Sequence, residues 1–311
     1  MSTQSQSSKR PTRLQGVAVV TVTPFDRNFR INERELRSHI RFLIQNDVDV
    51  IIPTATVGEC YALTIEERKK IMSVVAEEIG GALPLVVCVN HTNMNVILDL
   101  SEYASKIGSR AVMIMPPYYR KLPEEEVWSF YRQLSEQLDI DIFLYNNPAV
   151  TQIDMSPQLL QDLAELKNVV ALKECVHNAH KFEWTVRTVG QKIAVFNGHS
   201  ERMEPYAYMM GAQGFVSTIA NFIPRASVKI RQASLEGNYS KAQHIHELVM
   251  PFVDFVSGPK GKGLSVIKQG VNIVGFDVGE PKSPTTLLTT KEKQVLAKMI
   301  KDINAKIQQE I

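Results

Sequence analysis

The chain has 311 residues, of which 44% are hydrophobic and 22% charged, a balance that excludes a disordered or fibrous protein and allows one large domain with an appendage or two ordinary ones. Lys plus Arg number 35 against 33 Asp plus Glu, so the net charge of +2 offers no electrostatic footprint for nucleic acid and suits small-molecule partners. Cys60, Cys88 and Cys175 are widely spaced and form no CxxC pair, which argues against both a zinc site and a disulfide framework.

The opening stretch, MSTQSQSSKRPTR (1–13), is polar and basic with no apolar segment behind it. It reads as a disordered lead-in and not as a secretory signal. No apolar run approaches the roughly 18 residues that a membrane helix needs, and the expected location is cytoplasmic.

From residue 14 onward, short runs rich in Val and Ile recur: 16–25, 48–55, 83–89, 111–117, 141–147, 169–174, 193–198 and 214–218. Each is too short for a helix and continuously apolar, as strands buried on both faces of a parallel sheet are. Helical period fills the gaps. In 32–46, Leu36, Ile40, Leu43 and Ile44 share one face. Thr64 with Glu67 forms a capping box, and Ser156-Pro157 is a cap followed by proline at the first helical position. Eight strands, each followed by a helix, predict a (β/α)8 TIM barrel over 14–223. The rival, a doubly wound sheet, lacks its GxGxxG marker, because the first run ends in Thr-Pro-Phe. Further helical patterns at 224–236, 239–256 and 290–309, with another in 260–275, predict a C-terminal helical appendage over 224–311. The Gly and Pro of 257–263 mark a loop.

A barrel presents its chemistry at the C-terminal ends of its strands. The second run ends in Thr54-Ala55-Thr56-Val57-Gly58-Glu59, where a hydroxyl and amides close to a glycine suit a carboxylate; an ordinary turn is the alternative. The fourth ends in two prolines and Tyr118-Tyr119, which structural packing also explains. The fifth ends in Tyr145, a candidate proton carrier or a core tyrosine. The sixth ends in Lys173, where lost hydration disfavours the ammonium and leaves an amine able to attack a ketone; the alternatives are a pair with Glu174 or a snorkelling side chain. The seventh and eighth contribute Gly198-His199-Ser200 and Val216-Ser217-Thr218 as candidate pocket lining. His177, His180, His244 and His246 lack a third ligand at metal spacing, and no P-loop or G-x-S-x-G elbow is present.

Together these marks are more specific than any one of them. T-P-F at 23–25, Thr56-Val57-Gly58-Glu59, Pro117-Tyr118-Tyr119, Tyr145-Asn146-Asn147-Pro148, Lys173-Glu174, Gly211-Ala212-Gln213-Gly214 and Asn221-Phe222-Ile223-Pro224 stand in one order. The chain resembles the dihydrodipicolinate synthase / N-acetylneuraminate lyase family of class I aldolases from about Gly16 to Ile223, with about one extra residue between Gly198 and Gly211. The resemblance implies Lys173 as the Schiff-base lysine, Tyr145 as the proton-transferring tyrosine and Thr56 as the hydroxyl beside it, which relays the proton and touches the substrate carboxylate. It further implies that the Val57 amide and Gly58 hold the substrate carboxylate. Val216 is implied to face the keto acid through its backbone, and Tyr119 to reach a neighbouring subunit's site in an assembly that is commonly tetrameric. No organic cofactor or metal is implied, because the lysine is the electron sink.

Two departures bear on the substrate. Val57 stands where the family's motif has a second hydroxyl. Val150 stands near where the synthases carry an arginine for the carboxylate of their aldehyde substrate. The expectation is therefore a lyase acting on pyruvate or another 2-oxo acid by aldol cleavage, condensation or dehydration. Val150, His199, Ser200 and Thr218 are candidates for the distal pocket. A synthase condensing pyruvate with aspartate semialdehyde is the alternative, and a non-catalytic keto-acid-binding barrel is a remote one.

Overall fold

The computed structural model describes residues 14–258 and 262–309. The lead-in expected over 1–13, and part of the loop expected over 257–263, lie outside them. Among the described residues eight strands form one sheet: β1 (Gly16–Val20), β2 (Val50–Ile52), β3 (Val86–Cys88), β4 (Ala111–Ile114), β5 (Asp141–Asn146), β6 (Val169–Glu174), β7 (Ala194–Asn197) and β8 (Gly214–Ser217). Their order is β2-β1-β8-β7-β6-β5-β4-β3, with parallel neighbours throughout. The two ends of that order meet. Ile51 bridges Leu85 in parallel, and the N–H groups of Ile51 and Cys88 each donate across the seam at 3.2 Å, to Pro84 and Pro53. The sheet therefore closes into the expected (β/α)8 barrel.

The helices are α1 (Glu33–Gln45), α2 (Ile65–Ile79), α3 (Met94–Lys106), α4 (Glu124–Gln137), the short α5 (Pro148–Thr151), α6 (Pro157–Ala164), α7 (Ala179–Val189), the short α8 (Tyr206–Met209), α9 (Pro224–Leu235), α10 (Tyr239–Val256), α11 (Gly263–Ile273) and α12 (Thr290–Gln309). Both halves of the Thr64–Glu67 capping box are formed, and Ser156 caps α6 by accepting from Leu159 N–H. The strands are shorter than the apolar runs that announced them. β2 stops at Ile52 because Pro53 has no N–H to give and Thr54 turns left-handed at φ +56. The four-residue α5 and α8 escape a reading by period, since one turn shows no periodicity.

Strand side chains alternate between two apolar layers. Val20, Ile52, Cys88, Met113, Phe143, Ala171 and Phe196 fill the barrel. Val19, Ile51, Val87, Val112, Leu144, Leu172 and Val195 face outward against Leu36, Ile40, Leu100 and Leu160 of the helices. A third cluster joins α9 to α12 to Val22 and Phe222, which lie in the loops after β1 and β8. The C-terminal helices are thus packed onto the loop end of the barrel. No helix among the described residues is long and apolar enough to cross a membrane.

Candidate active site

The two-residue alternation of strands decides which side chains enter the barrel. Phe143 and Ala171 lie in its interior, so Tyr145 and Lys173, two positions on, point inward as well, while Asn146 and Glu174 point out. Tyr145 and Lys173 are direct partners in the β5–β6 register. Lys173 is 7% exposed, and its Nζ lies 4.3 Å from the centroid of the Tyr145 ring. Glu174 does not pair with it. It sits fully buried on the opposite face, where Asn146 Nδ2 donates to its Oε1 at 2.8 Å, and burial pushes its carboxyl up to about 7.

Two opposed influences act on the amine. Burial works against the Lys173 ammonium; anionic Tyr145, Cys175 and Cys88 work for it and, with all three ionised, lift it above the ordinary lysine value. Burial also raises each of those partners: Tyr145 above an ordinary phenol, Cys175 to about 11 and Cys88 to about 12. Near neutral pH they keep their protons and their attraction disappears. Burial then acts against the ammonium with the Tyr145 side-chain hydrogen bond still opposing it. The lowering expected from the apolar strand alone is therefore outweighed wherever Tyr145, Cys175 and Cys88 are ionised.

The Tyr145 hydroxyl receives a hydrogen bond from Asn147 Nδ2 at 3.0 Å. Thr56, the hydroxyl expected beside it, is exposed, and its side chain makes no hydrogen bond among the described residues. The 54–59 loop is nevertheless firmly held. Thr54 Oγ1 donates to the Cys88 carbonyl at 2.8 Å, and Thr23 Oγ1 donates to the Gly58 carbonyl at 2.7 Å. A Cβ at Gly58 would stand 3.1 Å from both Thr21 O and Thr54 N, so any larger residue would have to push this backbone apart by a few tenths of an ångström. Glu59 is left-handed at φ +60, and its carboxylate accepts from Lys268 Nζ at 3.0 Å and from Lys282 N–H at 2.7 Å.

The remaining expected residues are distributed as follows. Val216 is buried among the interior side chains, opposite Ala18 of β1. Gly198 serves packing directly: a Cβ there would lie 2.1 Å from Cys175 Sγ and 2.9 Å from Glu174 O. His199 is half-buried, donates its backbone N–H to Asn197 Oδ1 at 2.8 Å and packs against His177 with ring centroids 4.2 Å apart and the planes tilted by 37°. Burial, then His177, draws its imidazole below the ordinary value. Val150 lies in α5 and is 41% exposed, and Tyr119 is 93% exposed. Arg68 is committed to the backbone carbonyls of Asn90 and Cys88 and Arg120 to Glu126, so neither substitutes for an arginine at Val150. A hollow of about 510 Å³ bounded by Phe42, Phe222, Ile300 and Ile307 includes none of these residues, so chemistry and not volume locates the site.

Asn147 and Lys268 were not singled out by sequence. Asn147 carried a weak signal, as one of two asparagines between Tyr145 and Pro148. Lys268 carried none, since it meets Glu59 across 209 residues of chain.

Comparison with known proteins agrees with this geometry. A model of the dihydrodipicolinate synthetase family matches residues 13–303. The chain is 27% identical over 298 residues to the 4-hydroxy-tetrahydrodipicolinate synthase of Methanosphaera stadtmanae, covering 94% of this chain and 99% of that one. It is 30% identical over 239 residues to the like-named protein of Methanothrix thermoacetophila, covering 76% and 80% respectively. It also superposes on the crystal structure of dihydrodipicolinate synthase from Oceanobacillus iheyensis with a TM-score of 0.87 at 27% identity, over 94% of this chain and 97% of that one.

Proposed function

This chain belongs to the dihydrodipicolinate synthetase family, and from that premise we propose that it is a Schiff-base-forming lyase acting on pyruvate or another 2-oxo acid, with Lys173 as the nucleophile. The observation that carries the reading is the Lys173–Tyr145 pair, two polar groups facing each other among the apolar side chains that fill the barrel. Neutral Lys173 attacks the C2 carbonyl carbon. The Tyr145 hydroxyl gives its proton to the departing C2 oxygen, which leaves as water, and a protonated imine remains beside a phenolate. The phenolate then takes a proton from C3, or from a C4 hydroxyl when the C3–C4 bond breaks, and the imine accepts the electron pair. The Val57 amide and Gly58 are assigned to the substrate carboxylate, with Thr56 at its edge. Val216 lines the barrel floor beneath the keto acid, while Val150, Gly198 and His199 border the distal group.

A second reading, 4-hydroxy-tetrahydrodipicolinate synthase, is favoured by the names of the relatives. Against it stands Val150, an aliphatic side chain where a carboxylate would need a cation. The exposed Tyr119 supports assembly with further copies of the chain, and a soluble cytoplasmic enzyme is the setting that fits a free 2-oxo acid. The test is borohydride added with pyruvate, followed by peptide mass analysis. A reduced pyruvate adduct on Lys173 is expected. Recovery of unmodified Lys173 with every 2-oxo acid tried would overturn the proposal.

A further inference from the structure

Asn147 immediately precedes α5, a place where asparagine ordinarily accepts a hydrogen bond from the first turn of the helix. Here its side chain makes no such bond. It donates to the Tyr145 oxygen at 3.0 Å instead. A phenol oxygen has one proton to give and two lone pairs to receive with, and an amide nitrogen can only donate. With Asn147 on one lone pair, the phenol proton has to point elsewhere, and Lys173, whose Nζ lies 4.3 Å from the centroid of the same ring, is a side-chain hydrogen-bond partner of Tyr145.

We infer that Asn147 is a positioning residue for Tyr145: its amide turns the phenol proton toward the lysine adduct and holds the oxygen by a hydrogen bond while it is an anion between two proton transfers. The inference rests on the reading of Tyr145 as proton carrier. In that cycle Tyr145 gives its proton to the leaving C2 oxygen and recovers one from C3, so the phenolate is an obligatory stage and the enzyme's protons balance. A donor fixed beforehand at the position of developing charge stabilises that stage without reorganisation. Burial, and after it Cys175, push the phenol up, while Lys173 and then the Asn147 donor oppose the rise.

The probe is pyruvate in deuterated water, with loss of the methyl proton signal reporting removal of the C3 proton. Two variants are compared, Asn147→Leu, which removes the donor, and Asn147→Asp, which keeps the shape but places an acceptor and a charge beside the oxygen. Both are expected to retain borohydride capture of pyruvate on Lys173 and to slow exchange, by about 10–100-fold for Asn147→Leu and by more for Asn147→Asp. NMR of carbon-labelled tyrosine is expected to show the Tyr145 titration moving up in the same order. A packing role predicts the reverse order, because aspartate preserves the shape better than leucine. An Asn147→Asp variant milder than Asn147→Leu, or exchange and titration unchanged in both, overturns the inference. If the unaltered enzyme captures no pyruvate, the lyase reading falls, and the order of the two titrations still decides what Asn147 does to Tyr145.

Discussion

Lys268 of α11 and Glu59 of the loop after β2 form a salt bridge of 3.0 Å in which the two side chains are 1% and 0% exposed. Lys268 Nζ also donates to the Glu280 carbonyl at 3.0 Å and lies 4.2 Å from the centroid of the Phe25 ring. Burial draws the ammonium down to about 8 in spite of the opposing pull of Glu59. The bridge ties the C-terminal helices to the loop assigned to the substrate carboxylate, one residue after Gly58. It also fixes the left-handed backbone of Glu59, a conformation a non-glycine residue holds only when its surroundings impose it.

Removing Lys268 leaves the Glu59 carboxylate buried with no opposite charge and only the Lys282 N–H as a donor. Lys268→Met is expected to destabilise the fold by about 3–5 kcal/mol, whereas Lys268→Met combined with Glu59→Gln should recover much of the loss. Urea unfolding of the two variants and the parent checks this. A single variant within experimental error of the parent would mean that the pair contributes nothing, and equal losses in both variants would mean that the charge left behind is not the cause.

The barrel and the orientation of its two central residues were legible in the sequence because both follow from local patterns. Eight apolar runs gave eight strands, and the period of two within 141–146 and 169–174 is enough to put Tyr145 and Lys173 on one face. The Asn147–Tyr145 and Lys268–Glu59 contacts were not legible. The first depends on a one-turn helix too short to show a period, and the second joins segments 209 residues apart. Position alone also gave burial as the only influence on Lys173, whereas Tyr145 and Cys88 enter through the register of other strands and Cys175 from two residues further along the same segment.

Glu204 supplies a stability test that is independent of catalysis. It is fully buried, accepts from Asn197 Nδ2 at 3.0 Å and has its carboxyl pushed up to about 8, mainly by burial and further by Glu201. Between its ordinary value of 4.5 and about 8, the folded chain keeps a proton there that the unfolded chain releases. This contribution to stability therefore declines as pH rises across that window, with a limiting slope of about 1.4 kcal/mol per pH unit. Glu204→Gln mimics the neutral acid. Its melting temperature should match the parent's at the acid end of the window and exceed it at the alkaline end. Parallel melting curves throughout would rule out a buried, proton-holding Glu204.

Val57 is half-buried between the barrel interior and the C-terminal cluster, so Val57→Thr changes a methyl to a hydroxyl at nearly constant shape. If the 56–58 loop holds the keto-acid carboxylate, the added donor should contribute about 1.5–3 kcal/mol, as hydrogen bonds to charged groups do. The pyruvate concentration giving half-maximal borohydride capture should then fall roughly tenfold or more. An unchanged half-point would place the carboxylate elsewhere in the barrel mouth.

Val150 separates the two readings of the reaction. Its side chain is 41% exposed in α5, where an arginine can be accommodated without opening the core. A guanidinium there would meet a distal carboxylate with paired hydrogen bonds, which an isopropyl group cannot form. Val150→Arg is expected to raise kcat/KM for aspartate semialdehyde by about 10–100-fold, the equivalent of one charge-assisted contact, and to leave pyruvate capture on Lys173 unchanged. The parent should condense that aldehyde poorly, while releasing pyruvate or water from some member of a panel of 2-keto-3-deoxy and 4-hydroxy-2-oxo acids. Vigorous condensation by the parent itself would mean that another group binds the carboxylate. The synthase reading would then replace the broader lyase one, with Lys173 and Tyr145 in the same roles.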